Sequence, residues 1–369
     1  MKVLFTGGGT GGHIMPIIAI GRELRIQSPS LQLHYIGPKT DFEALTKESF
    51  TNHAIASGKM RRYFDWRNFI DLPFKIPFSF LQAFFLLLLI RPKLVFSKGG
   101  TSSLPVTFSA RILRVPVFLH ESDVCPGLSN RITSKWAKKT FTSFQKTEFF
   151  KPQNVVVLGN PIRKELLQGD RKVSKGGMMN LTSNKPVVLI LGGSQGAQAI
   201  NELILSILNN LLAKYEVIHV TGRNTYKKVL LGSEAMLSDK NLWQQYHLYE
   251  FLNEVELKNA YASASIAISR AGAGSIFELA TMGKPSILIP LPGSANDHQS
   301  KNAYQYAKSG AAIVIEQESL SPSYFMGEIE NVLSKKENMV KSALKFAKPE
   351  AAAEIAKEIL NYLNAYQKI

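Results

Sequence analysis

Residues 3–24, VLFTGGGTGGHIMPIIAIGREL, pass from a short apolar β segment through a glycine loop into an apolar-periodic helix. Residues 187–208, VVLILGGSQGAQAINELILSIL, repeat that order of parts. Working outward, residues 94–122, LVFSKGGTSSLPVTFSARILRVPVFLHES, read strand, glycine loop, helix, strand. Residues 265–293, SIAISRAGAGSIFELATMGKPSILIPLPG, do so again. Strands that are apolar throughout, rather than alternating, belong to parallel sheets covered on both faces. The expected fold class is therefore α/β, with two Rossmann-like doubly wound domains. In such sheets ligands bind beyond the C-terminal strand ends, where glycine loops feed helix N-termini. The four loops are thus expected to face a cleft between the domains.

A chain of 369 residues is ample for two full cores. The expected domains are residues 1–162 and 163–344, with the helical stretch 345–369 packing back on the first and bracing one against the other. The polar segment 168–186, QGDRKVSKGGMMNLTSNKP, reads as the linker-like stretch. The single cysteine, Cys125, excludes an internal disulfide and, with no export signal in view, favours the cytoplasm.

Residues 74–93, FKIPFSFLQAFFLLLLIRPK, carry no charge from Pro77 to Ile90. A helix over that stretch is about 21 Å long, against about 30 Å of bilayer hydrocarbon, so it does not span. Two readings remain: a helix buried in the α/β core, or one with a face on a sheet and the other in lipid. Charge favours the second. The formal net charge is +16, and residues 1–160 hold 21 Lys and Arg against 9 Asp and Glu, whereas the remainder holds 23 against 19. Lys59, Arg61, Arg62, Arg67, Lys75, Arg91 and Lys93 surround the apolar stretch, interleaved with Tyr63, Phe64, Trp66 and Phe69. That composition suits an anionic membrane surface, with Phe80, Phe84 and Leu88 as the residues expected to meet lipid. Nucleic acid is the competing partner for a basic chain, but no nucleic-acid motif accompanies the charge, so none is expected.

Gly7, Gly9 and Gly12 fit the dinucleotide fingerprint, which also demands an acidic residue closing the second strand. Here LQLHYIG ends in Gly37 and Pro38, so a nicotinamide cofactor loses its ribose contact. No P-loop sequence occurs, and the seven histidines show no ligand spacing, so neither metal nor cofactor is expected. The acidic pair Glu121-x-Asp123 is matched by Glu254-x-Glu256 and Glu316-x-Glu318, and a solvated or structural role explains any one of them. A site that expels a phosphate without metal must stabilise the charge with backbone N–H groups, helix dipoles and arginine. The loop Gly192-Gly193-Ser194-Gln195-Gly196 and the segment Gly159-Asn160-Pro161-Ile162-Arg163 supply these, against the simpler readings of a tight turn and a surface ion pair.

GGTGGH at 8–13, the glycine pair 99–100, LHES at 119–122, GNPIR at 159–163, GGSQGA at 192–197, RAGAGSIFELATMGKP at 270–285 and DHQSKNA at 297–303 come in an order that resembles the MurG family. That family transfers N-acetylglucosamine from its UDP donor to an undecaprenyl-linked muramyl acceptor, lipid I, in peptidoglycan synthesis. The resemblance implies a GT-B fold and an inverting β-1,4 transfer without metal at the cytoplasmic membrane face. Other readings are a membrane-associated GT-B enzyme glycosylating diacylglycerol and a nucleotide-sugar-binding scaffold without turnover.

By the same resemblance, Gly193, Ser194, Gln195 and Arg163 take the diphosphate, and Phe251 with the Leu252 backbone meets uracil. Glu278 accepts both ribose hydroxyls beside the Ala273-Gly274-Ser275 loop, and His298 and Gln299 read sugar hydroxyls. His13 is the candidate general base, placed where a helix dipole disfavours imidazolium; its simpler role is to cap or pack that helix. Thr10, Gly11 and Gly12 lie by the transferred sugar, Asp123 at sugar or acceptor, and Gly99, Gly100, Thr101 and His120 on the acceptor side. His120 could exchange roles with His13. Thr101, Ser122-Asp123 and His298 depart from the commoner Tyr, Gln-Asn and Gln of relatives, and aspartate cannot donate as asparagine does.

Overall fold

The computed structural model describes residues 1–8, 11–56, 75–145, 147, 149–150, 152–173, 179–193, 196–237 and 239–367. The chain forms two compact units, Met1–Arg163 with Lys348–Ile369, and Lys164–Ala347.

The first unit holds strands β1 (Lys2–Thr6), β2 (Gln32–Gly37), β3 (Thr51–Ala54), β4 (Leu94–Ser97), β5 (Val117–Glu121), β6 (Lys139–Thr142) and β7 (Val155–Val157). They form one parallel sheet in the order β3-β2-β1-β4-β5-β6-β7. Val3, Leu4 and Phe5, and likewise Leu94, Val95 and Phe96, are wholly buried, because helices cover both faces. Helix α1 (Gly11–Gln27) lies on one face, with Ile14, Ile17 and Ile18 in the core. Helix α2 (Ile76–Ile90) and helix α3 (Ser103–Ile112) cover the other, through Ala83, Leu87 and Val106.

Helix α2 stops where its sequence says it must. Arg91 takes the left-handed conformation (φ 52°), its N–H bonding the Leu87 carbonyl at 2.8 Å, and Pro92 follows. The helix buries Ser79, Ala83, Leu87 and Ile90 and turns Phe78, Leu81, Phe85, Leu88 and Leu89 to solvent. Of the three residues expected at lipid, only Leu88 is exposed. Phe80 and Phe84 are half-buried, Phe80 edge-on to Phe108 at 5.4 Å and Phe84 edge-on to Phe85 at 5.8 Å. The basic and aromatic residues 59–69 lie outside the described residues. No helix among those described is long and apolar enough to cross a membrane.

The second unit contains β8 (Val187–Leu191), β9 (Glu216–Val220), β10 (Tyr246–Tyr249), β11 (Ile266–Ser269), β12 (Ser286–Leu288) and β13 (Ala312–Val314). They too are all parallel, in the order β10-β9-β8-β11-β12-β13. Helices α4 (Gln198–Ser206), α5 (Glu254–Ser263), α6 (Ala273–Thr281) and α7 (His298–Ala307) follow four of these strands. The terminal helix α8 (Ala351–Gln367) buries Ile355, Ile359 and Leu363 in the first unit's core beside α1.

Each sheet reverses its winding once, between β1 and β4 in the first and between β8 and β11 in the second. Such switch points leave a crevice at the strands' C-terminal ends. Every glycine loop singled out in the sequence leaves one of these four strands.

Candidate active site

In the first unit the register sets Thr6 opposite Ser97, so Gly7 and Lys98 emerge side by side. His13 is the third residue of α1 and is half-buried. Burial, aided by the charge of Lys98, lowers its pKa to about 4, so the imidazole is neutral at physiological pH. Its Nε2 faces Gly100: a Cβ on that glycine would stand 3.6 Å from the ring nitrogen and 3.0 Å from the Gly8 carbonyl. With φ at +90°, Gly100 combines a backbone conformation and a close approach that only glycine accepts. Gly11 and Gly12 are exposed at the helix start, and Thr101 is exposed beyond the glycine pair. Gly99 is packed against the side chain of Asn130.

Glu121 is a loop former. Its Oε1 accepts from the Asp123 N–H at 2.9 Å, and its Oε2 from Asn130 Nδ2 at 2.8 Å and the Gly127 N–H at 3.3 Å. Burial and the neighbouring Asp123 charge push its carboxyl up. Both oxygens are therefore occupied, which is the structural reading of the acidic pair, and Asp123 sits half-buried on the loop so shaped. Among the described residues no group of three or more His, Cys, Asp or Glu is placed to hold a metal ion.

His120 does not share a position with His13. It is wholly buried, its ring Nε2 donating to the Gly159 carbonyl at 3.0 Å, and burial holds its pKa well below the usual histidine range. It anchors the segment that ends in half-buried Arg163, so an exchange of roles with His13 does not fit this geometry. Sequence reading passed over Lys98, whose ammonium is buried and donates to Ser122 Oγ. A lone lysine after a strand reads as a solvated loop residue, and nothing in the chain marks it otherwise.

In the second unit, β8 and α4 are joined by the loop that includes Gly193 (φ +74°) and Gly196 (φ +87°), whose N–H bonds the Gly193 carbonyl at 3.1 Å. Gly192, at the exit of β8, is pressed against the end of β9, since a Cβ there would stand 3.0 Å from both the Val220 and Thr221 carbonyls. Helix α4 begins with no side-chain cap, and so does α6, whose first turn is Ala273, Gly274 and Ser275. Uncapped first turns leave N–H groups and the positive dipole end for an anion. Thr10, Ser194 and Gln195 lie outside the described residues.

Glu278 sits one turn into α6, half-buried, and its Oε2 accepts from the Tyr261 hydroxyl at 2.9 Å, which fixes the carboxylate. Phe251 is half exposed with the Arg223 guanidinium 5.4 Å from its ring centre, while Leu252 is buried. His298 opens α7, its Nδ1 donating to the Ala295 carbonyl at 2.8 Å, and Gln299 Oε1 accepts from the Leu291 N–H at 3.1 Å. The preceding Asn296 and Asp297 both hold φ near +55°, a strained pair in front of a polar helix start. Arg270, also missed, ties β11 to β12 by donating to the Ile289 and Pro290 carbonyls at 3.1 and 3.0 Å.

The sequence models of the glycosyltransferase family 28 N-terminal and C-terminal domains match residues 3–142 and 187–359. A relative from Clostridium kluyveri, the "UDP-N-acetylglucosamine--N-acetylmuramyl-(pentapeptide) pyrophosphoryl-undecaprenol N-acetylglucosamine transferase", is 36% identical over 370 residues, covering 99% of each chain. Its namesake from Legionella pneumophila (strain Paris) is 37% identical, covering 96% of this chain and 94% of its own. The crystal structure of MurG from Acinetobacter baumannii superposes with a TM-score of 0.73 at 25% identity, covering 98% of this chain and 99% of that one. Two doubly wound parallel sheets with glycine loops at both switch points are the architecture of a GT-B glycosyltransferase. Within that class, the chain belongs to the MurG family of glycosyltransferase family 28.

Proposed function

We propose that this chain transfers N-acetylglucosamine from UDP-N-acetylglucosamine to the C4 hydroxyl of the muramyl sugar of lipid I, with inversion and without a metal. The first unit takes the acceptor and the membrane surface, and the second takes the nucleotide sugar. The observation that carries the reading is His13 at the first switch point, its Nε2 facing the Gly100 backbone, in a chain 36% identical to a named transferase over 99% of its length.

His13 accepts the proton of the C4 hydroxyl as that oxygen attacks the anomeric carbon. Above pH of about 4 the imidazole is unprotonated and available, and the diphosphate groups of donor and acceptor raise its basicity as they approach. The departing UDP is stabilised by the Gly193–Gly196 amides, the α4 dipole and Arg163. Glu278, steadied by Tyr261, receives the ribose hydroxyls, Phe251 and Leu252 border the base, and His298 and Gln299 contact the sugar.

The outward face of α2, with Lys75, Arg91 and Lys93 at its ends and the basic Arg111 and Arg114 on and after α3, rests on anionic lipid at the cytoplasmic face as a peripheral contact. Competition between lipid I and diacylglycerol as acceptors for UDP-N-acetylglucosamine tests the substrate. Preferential glycosylation of diacylglycerol would refute the acceptor, and tight donor binding without UDP release would refute turnover.

A further inference from the structure

Lys98 leaves β4 beside Gly7, whose missing side chain makes room for it: a Cβ on Gly7 would stand 3.1 Å from the Lys98 Cβ. The residue is 2% exposed. Its ammonium donates to Ser122 Oγ, and the Ser122 hydroxyl donates onward to Asn160 Oδ1 at 3.1 Å. This chain of bonds ties the exits of β4 and β5 to the segment leading to Arg163. An ammonium removed from water costs several kcal/mol unless it is paired. Glu121 and Asp123, from the exit of β5, supply the opposing charge, while burial pulls the Lys98 pKa down to about 8.

His13 from α1 faces the same space, with its Nε2 against Gly100 two residues beyond Lys98. The titratable groups converging on Lys98 are therefore His13 from α1, His120 and Glu121 from β5, and Asp123 from the following loop. A neutral donor would suffice to bond Ser122. The charge needs another explanation.

We propose that Lys98 is a positioning residue for the transfer: its buried ammonium locks the Ser122–Asp123 loop onto Asn160 and sets its positive charge beside the space that the His13 imidazole faces as it takes the acceptor's proton. The assignment rests on His13 being the base. Lys98 acts through its neighbours, being too deeply buried to touch substrate.

The test uses the full chain with histidine-labelled NMR and steady-state kinetics against pH. Lys98→Gln keeps a donor and removes the charge, and Lys98→Arg keeps the charge. In Lys98→Gln the His13 titration midpoint is expected to rise and the acid limb of kcat to move up with it, while release of the Ser122–Asp123 loop lowers kcat at neutral pH about tenfold with KM for UDP-N-acetylglucosamine unchanged. Lys98→Arg is expected to restore both titrations. A uniform fall in kcat and thermal stability with both titrations unmoved overturns the proposal. A His13 midpoint that moves while the acid limb stays put upholds the Lys98–His13 coupling. It overturns His13 as base, and with it the role of Lys98 in transfer. Lys98→Met serves if Lys98→Gln does not fold. Failure of both to fold while Lys98→Arg folds counts against the proposal, because it marks the ammonium as structural.

Discussion

Replacing Leu81, Phe85 and Leu89 together with glutamate strikes the outward face of α2 and leaves its buried face, Ser79, Ala83, Leu87 and Ile90, intact. These three side chains are 58%, 64% and 76% exposed. Full burial of such a side chain is worth about 1.5–3 kcal/mol, so covering the exposed fraction with lipid is worth roughly 1–2 kcal/mol each. Together that is about 4 kcal/mol, on the order of a thousandfold in partitioning, before the repulsion of three new carboxylates by an anionic surface. Cosedimentation with vesicles rich in anionic phospholipid reads the partition coefficient, and activity on a water-soluble acceptor analogue reads the site. The expected result is lost vesicle binding with soluble-acceptor activity and melting temperature retained. Unchanged vesicle binding would refute the membrane reading, and parallel loss of binding, activity and melting temperature would mean the face packs against protein. Substitutions at Phe80 or Phe84 would blur these outcomes, since both side chains are half-buried.

Three further outcomes are expected. His13→Ala should lower kcat by about a hundredfold or more while UDP-N-acetylglucosamine still binds by calorimetry, and full activity would remove His13 as base. Tyr261→Phe removes one hydrogen bond to the Glu278 carboxylate and should weaken UDP binding by about 0.5–1.5 kcal/mol, with a smaller effect on a 2′-deoxyribose analogue; equal losses would detach Glu278 from the ribose. Acid should destabilise the fold through His120 and His219, both wholly buried and both held below their ordinary pKa by burial, His219 down to about 3. The unfolded chain binds protons below about pH 6.5 that the folded one refuses, so stability falls as pH drops from there. At pH 5 the loss is about 2 kcal/mol for His219, with a further loss of the same sign from His120, measurable by denaturant melts at two pH values. A flat profile, or one restored only by removing surface carboxylates, would place the acid sensitivity elsewhere.

Both sheets and all four loops were legible because parallel strands buried on two faces must be apolar throughout, and because glycine marks where backbone turns back at a strand end. The terminal helix is less simple: its apolar spacing announces a buried face, but only the fold shows that face meeting α1. Helix α2 defeated periodicity for a physical reason. Its apolar residues lie all round the cylinder, so the pattern contains no polar stripe from which to read an outward face. Its one hydroxyl, Ser79, is buried by bonding its own turn at the Ile76 carbonyl, 2.6 Å away. At the candidate site, His13 could be picked from a glycine loop meeting a helix, whereas Glu121 looked like half of an acidic pair. Its partners are two backbone amides and the side chain of Asn130, nine positions on, and neither spacing nor residue type marks that set in the sequence. Lys98 was invisible for a similar reason, since its burial depends on Gly7, ninety-one positions earlier, standing beside it.

The most direct test of the account is transfer of radiolabelled N-acetylglucosamine from its UDP donor to purified lipid I by the full chain, run with a chelator present. The account predicts a β-linked disaccharide lipid at an undiminished rate, and loss of that product in His13→Ala with the donor still bound. Donor consumed without glycosylation of lipid I, or product formed only when a divalent cation is restored, would contradict it.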